Sequence, residues 1–275
     1  MTASFSQFIR ERQYLHNLSP ATIEWYKHSF KWLPNENPSQ EELRAAVIRM
    51  RERGLKATGC NSAIRAVNAY LKWSGSPHRV LYLKEDQRVL PTFTLPDIKK
   101  LLTYQPKKFY ERRLHLIILV LLDTGCRIDE VLSLRASDCD LDNLLFTVTG
   151  KGRKQRKIPF SFELRRALSR FLRDFPSELV FATRKHGGGR KLGRRVVLRD
   201  VKLLCQRLGI TPPERTLHAY RHTFALHYLR KGGSVFHLQK VLGHSTLEMT
   251  RRYANLLTED LQAIHQRVSL LAAWP

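Results

Sequence analysis

Six side chains whose types could do chemistry stand in four short stretches of this chain. The stretch LGHSTLEMTRRYANL, residues 242–256, holds His244 nine positions before Tyr253, with Arg251 and Arg252 directly ahead of the tyrosine. LHAYRHTF holds His218 and Arg221 at i and i+3, which puts them on one face of a helix. TGCRIDEV offers Arg127 at a helix start after a turn, and GKGRKQR offers Lys151 at the tip of a Gly-bounded hairpin. Each residue also has a quieter reading. Tyr253 alone would be a core aromatic, His218 a structural histidine and Glu130 a solvated helix charge, while Lys154 and Lys157 compete with Lys151. His222, His227 and His237 read as structural or incidental.

Two arginines, a lysine, two histidines and a tyrosine, with no G-x-x-x-x-G-K-[ST] and no H-E-x-x-H in the chain, fit phosphoryl transfer without a metal or other cofactor. The transition state gathers negative charge on two non-bridging oxygens. Planar guanidinium forks match that geometry and stay charged at any working pH. A lysine can protonate the departing 5′-oxygen. A tyrosine attacking phosphorus makes an aryl phosphodiester, and phenoxide, with a pKa near 10, leaves well enough for the link to be reversed. The backbone energy is then stored and ATP is not needed.

Several elements must position these groups. The first part of the chain predicts four helices over 1–75. Ser19 caps the second ahead of Pro20, and a Ser39–Glu42 capping box opens the third. SGSPHRVLYLKEDQRVLP lacks a period, and residues 76–91 are expected to be a linker. From 92 onward helices resume. Thr94 caps one, the apolar run LHLIILVLL (114–122) marks another as buried, and Ile128, Val131, Leu132 and Leu134 mark a third beginning near Cys126. LLFTVT and KIPF read as strands flanking the hairpin. RKHGGGRKLGRR (184–195) carries six Lys/Arg, three consecutive glycines and no acid. It is expected to be a mobile loop that settles on a polyanion.

TGCRIDEVLSL, TGKGRKQRKIPF, LHAYRHTFA and LGHSTLEMTRRYANL together resemble the four signature blocks of the tyrosine recombinase (phage integrase) family, in the family's order and spacing. The resemblance covers most of 91–260. It is to the short two-domain type, like the bacterial chromosome-dimer-resolution recombinases, with no room for an N-terminal arm-binding domain. It implies a mainly α protein: a four-helix, SAM-like core-binding domain, then a mostly helical catalytic domain with a small antiparallel β-sheet. By the same resemblance Arg127, Lys151, His218, Arg221, His244 and Tyr253 are catalytic, Tyr253 as nucleophile and Lys151 as general acid, and Glu130 helps to order the site. The activity implied is site-specific DNA recombination through a 3′-phosphotyrosine link and a Holliday junction. The partners implied are duplex DNA carrying recombination sites and, on paired sites, a homotetramer formed from a free monomer or weak oligomer. The tail, about 254–275, is expected to carry the subunit contact. Topoisomerase-like or telomere-resolving strand transfer, and a non-catalytic DNA-binding regulator, are the alternatives.

Composition agrees with a nucleic-acid partner. The 275 residues carry a net charge of +24 and a pI of about 10.4, and a field of that sign draws polyanions. Residues 1–90 hold 14 Lys+Arg against 8 Asp+Glu and residues 91–275 hold 34 against 16, so the excess lies mainly in the second part. Arg153, Lys154, Arg190, Lys191, Arg194 and Arg195 are candidate DNA contacts, more suited to phosphates than to bases. The four cysteines are widely spaced and form no C-x-x-C pair, so neither zinc nor a disulfide framework is expected. No signal peptide or membrane span is read, and the expected location is the cytoplasm, on the nucleoid when bound to DNA.

Overall fold

The computed structural model describes residues 3–85, 90–150, 155–183 and 189–254, with 265, 266, 269 and 271 beyond them. The chain divides into two units, Met1–Arg88 and Val89–Pro275.

The first unit holds α1 (Ala3–Tyr14), α2 (Pro20–Phe30), α3 (Gln40–Glu52) and α4 (Ala57–Trp73). Ser19 Oγ accepts from Thr22 N, and Pro20, which has no N–H to lose, takes the first helical position of α2. Ser39 and Glu42 close a reciprocal capping box on α3. The core between these helices is aromatic. Phe8 is fully buried and meets Tyr26, Tyr70 and Trp73 edge-on, the arrangement the ring quadrupole favours.

Residues 76–85, expected to belong to a linker, instead lie along this unit. Two asparagines of α4 hold them. Val80 N donates to Asn68 Oδ1 and Asn68 Nδ2 donates to Val80 O, at 2.9 and 2.8 Å. Asn61 grips Leu83 in the same two-way manner, at 2.8 and 2.9 Å, and Val80 is buried between. Each amide stands in for a neighbouring strand, a pairing that local composition does not reveal.

The second unit is built on α6 (Phe109–Thr124), whose Ile117, Ile118, Val120 and Leu121 are fully buried. It packs against α5 (Leu95–Thr103), α8 (Phe162–Asp174), α9 (Arg194–Arg207) and α10 (Thr216–Arg230). The helix expected from Cys126 to Leu134 is one turn only, α7 (Ile128–Val131). It stops because the Leu134 carbonyl accepts from Val180 N and Arg135 bridges Leu179, which draws the chain out of the helix. Strands β1 (Cys139–Asp140), β2 (Leu145–Thr149) and β3 (Gln155–Pro159) form an antiparallel sheet in that order. Phe146 pairs with Ile158, both buried, which fixes the register by the period-two rule. Strand β1 is too short to leave a periodic signal.

The expected loop 184–195 ends earlier than its composition suggests. Residues 184–188 lie outside the described residues, but Lys191 bridges Ala182, Leu192 is buried in the core, and α9 starts at Arg194. One apolar side chain among the cations is enough to anchor the segment. Helices α11 (Val235–Leu242) and α12 (Glu248–Ala254) follow α10. Most of the expected tail lies outside the described residues. Among the described residues, no helix is long and apolar enough to cross a membrane.

Candidate active site

The site is organised by the carbonyl end of α11. Gly243 caps that helix at φ +64°, and the last carbonyls face a cluster of arginines. Val241 O accepts from Arg156 Nε at 3.1 Å. Leu242 O accepts from Arg127 Nη1 at 3.3 Å and from Arg221 Nη2 at 2.7 Å. Gly243 O accepts from Arg127 Nη2 at 3.4 Å. A helix C-terminus is the negative end of its dipole and carries unpaired carbonyls, so it suits cations. A Cβ on Gly243 would lie 2.9 Å from the Arg156 guanidinium, so glycine serves both the left-handed turn and the close approach.

Glu130 is the counter-charge. It is 8 % exposed and accepts both arms of Arg156, at 2.8 and 2.9 Å, together with Arg127 N at 2.8 Å and Arg127 Nη1 at 3.1 Å. Burial alone would raise its carboxyl pKa. The Arg156 fork and the Arg127 N–H outweigh burial and hold it below the ordinary carboxylate value. Arg221 is buried on α10 and also donates to Gly125 O at 2.8 Å. Burial, followed by the charge of Arg127, pushes its pKa down to about 10, which still leaves it charged near neutrality. Arg127 and Arg156 thus share the Glu130 carboxylate while Arg221 is held by backbone carbonyls, and the balance is open to an anion.

Tyr253, on α12, is 4 % exposed. Its hydroxyl lies 2.9 Å from His222 Nδ1, and the Arg221 charge acts on it. Burial raises its pKa although Arg221 opposes the shift, so the phenol holds its proton near neutral pH. The His244 ring lies parallel to Tyr253, 6.3 Å between centroids, and is oriented by Thr250 Oγ1 at 2.9 Å from its Nδ1. Burial, then Arg221 and Arg127, push the His244 pKa down to about 4.

Of the residues singled out from sequence, Arg127, Glu130, Arg221, His244 and Tyr253 converge here. His218 sits on α10 one turn before His222, its side chain exposed, and lines a cleft with Arg194 and Arg215. Lys151, Arg153 and Lys154 lie outside the described residues. Lys157 is exposed on β3 and alternates with the inward Arg156 and Ile158. Among the proposed DNA contacts, Arg194 and Arg195 are exposed on the first turn of α9, and Arg190 is exposed just before it. Lys191 is turned back onto α7, donating to Ser133 Oγ and Asp129 O.

Arg156 and His222 are absent from the sequence reading, or set aside in it. Both leave a trace. Arg156 is two residues from the inward Ile158, so strand alternation aims it at the interior. His222 follows Arg221 and stands four residues after His218, on the same face of α10.

This fold and this cluster define a class. Residues 91–260 match the phage integrase family, and the chain belongs to it, a tyrosine-type DNA strand transferase. Tyrosine recombinase XerA of Pyrococcus furiosus is 30% identical over 267 residues, 94% of this chain and 91% of that one. Tyrosine recombinase XerC of Anoxybacillus flavithermus is 25% identical over 94% of each chain. Among solved structures, the Tn1549 transposon integrase in complex with transposon right-end DNA is similar at a TM-score of 0.77 and 21% identity, over 97% of this chain and 98% of that one. XerH bound to a palindromic difH substrate is similar at 0.72 and 19%, over 98% and 85%.

Proposed function

We propose that the protein recombines duplex DNA at specific sites, with Tyr253 attacking the scissile phosphate to give a 3′-phosphotyrosine link. The observation that carries this reading is the meeting of the Tyr253 hydroxyl with a surplus of guanidinium charge. Arg127 and Arg221 then bind the two non-bridging oxygens, whose charge grows in the transition state. Each has N–H groups beyond those given to the α11 carbonyls. Arg156 and Glu130 hold Arg127 in place. His244, its ring set by Thr250, orients the phosphate. Lys151, in the connection between β2 and β3, protonates the leaving 5′-oxygen. Arg190, Arg194 and Arg195 contact phosphates outside the scissile one.

Assembly is the finer part of the proposal. An apolar groove of about 680 Å³ is lined by Leu95, Ile98, Leu102, Leu119, Leu122 and Phe224. In sequence, Leu256, Leu257, Leu261, Ile264 and Val268 make a stripe at near-helical spacing after the tyrosine. The stripe of one copy seats in the groove of the next, and four copies close a ring on two DNA sites.

Tyr253→Phe tests the chemistry, because it removes only the hydroxyl. The variant is expected to bind DNA as the parent does and to form no covalent complex on nicked duplex. Persistence of a 3′-phosphotyrosine adduct would overturn the assignment.

A further inference from the structure

We propose that His222 accepts the proton of the Tyr253 hydroxyl during strand cleavage. The inference rests on Tyr253 being the nucleophile. The imidazole at hydrogen-bond distance from that hydroxyl is His222, with Nδ1 2.9 Å from Oη. Its position is well supported. The next residue back, Arg221, is pinned to Gly125 O and Leu242 O, so the turn of α10 that carries His222 is anchored to α6 and α11.

The protonation states agree with the geometry. Burial keeps the phenol protonated near neutral pH, so the proton must go somewhere as the oxygen attacks. His222 is half-buried and faces His218 and Arg221 on its own helix, Arg215 at the start of that helix, Tyr253 on α12, and His244 just before α12. Burial, then His218 and Arg221, push its pKa down to about 4. It is therefore neutral, with a lone pair on Nδ1 when the ring proton sits on Nε2. In the step, Tyr253 Oη bonds to phosphorus and the phosphorus–O5′ bond breaks. The phenolic proton passes to His222 Nδ1, and the 5′-oxygen takes a proton from Lys151. In the transition state the imidazolium forming beside Arg221 is offset by the extra negative charge on the phosphoryl oxygens, and in the covalent product, again a singly charged diester, the positive charge gained by His222 is the one lost by Lys151. Rejoining runs the same transfers backward and returns the proton to Tyr253.

The test is single-turnover cleavage from pH 6 to 9. The substrate is a nicked duplex built on the sequence that the Tyr253→Phe protein selects from a random pool. The parent protein should show a nearly flat profile. His222→Ala should be slower by roughly 10²–10⁴-fold at pH 7. Its rate should climb about tenfold per pH unit, because hydroxide must then remove the proton. His222→Asn, which keeps a hydrogen-bond acceptor near the Nδ1 position but cannot take up a proton, should show the same climb. A profile of parental shape in both variants, whether at full rate or uniformly lowered, overturns the proposal and leaves His222 a packing residue. Tyr253→Phe in the same assay separates the two readings. If the adduct survives that substitution, the nucleophile is misassigned. If it is lost while both His222 variants keep the parental profile, this inference alone fails.

Discussion

Arg156 grips Glu130 with both arms, and Glu130 in turn holds Arg127 at its backbone and its guanidinium. Removing Arg156 leaves a buried carboxylate with half its partners, a change that costs about 3–5 kcal/mol. Arg156→Ala should therefore lower the unfolding free energy by about 3 kcal/mol in a denaturant titration and also slow cleavage, because Arg127 loses its brace. An unchanged denaturation midpoint would show that Glu130 does not depend on Arg156. Lys151 is tested by its leaving group. A 5′-bridging sulfur departs as a thiolate, whose conjugate acid has a pKa of about 8.5, and needs little protonation. Lys151→Ala should thus be slow on ordinary DNA and near the parent rate on the sulfur-bridged strand, whereas Arg127→Ala should be slow on both. Rescue of Lys154→Ala or Lys157→Ala instead would move the acid to that residue.

At the scale of elements, the site depends on where helices stop. Helix α6 ends at Gly125, φ +63°, whose carbonyl accepts Arg221 and whose missing Cβ leaves room for Phe224. A methyl group there would lie 2.3 Å from the Phe224 ring. Gly125→Ala combines a left-handed backbone, which costs about 1–2 kcal/mol without glycine, with overpacking at about 1–3 kcal/mol. A loss of about 2–4 kcal/mol is expected by thermal or chemical unfolding, and parental stability would show that α10 yields easily. Helix starts were legible because capping is local: Ser19, Ser39 and Thr94 each sit next to the turn they cap. The early end of α7 was not legible, because its cause is Val180, far along the chain.

At the scale of the molecule, assembly needs a partner for the apolar groove. Leu102 is 48 % exposed on the groove wall, so Leu102→Asp should leave the fold intact and charge the surface where the neighbour's stripe docks. Both this variant and deletion of 258–275 are expected to bind a single DNA site as the parent does and to lose cooperative assembly on paired sites, read by gel shift. Unchanged cooperativity in both would refute the docking proposal.

The class of chemistry was legible in the order of residues along the chain. Arg127, His218, Arg221, His244 and Tyr253 stand out by residue type together with the four blocks that resemble the family. That order also determined most helices, whose periods and caps are local. How the groups are held depends on contacts made in the folded protein. The α11 carbonyls gather Arg127, Arg156 and Arg221 from three elements, and the interior face of β3 turns Arg156 onto Glu130. The packing of α12 on α10 brings His222, rather than His218, against the Tyr253 hydroxyl. These are long-range contacts set by burial and by the satisfaction of helix-end carbonyls, and no short window of the chain contains both partners.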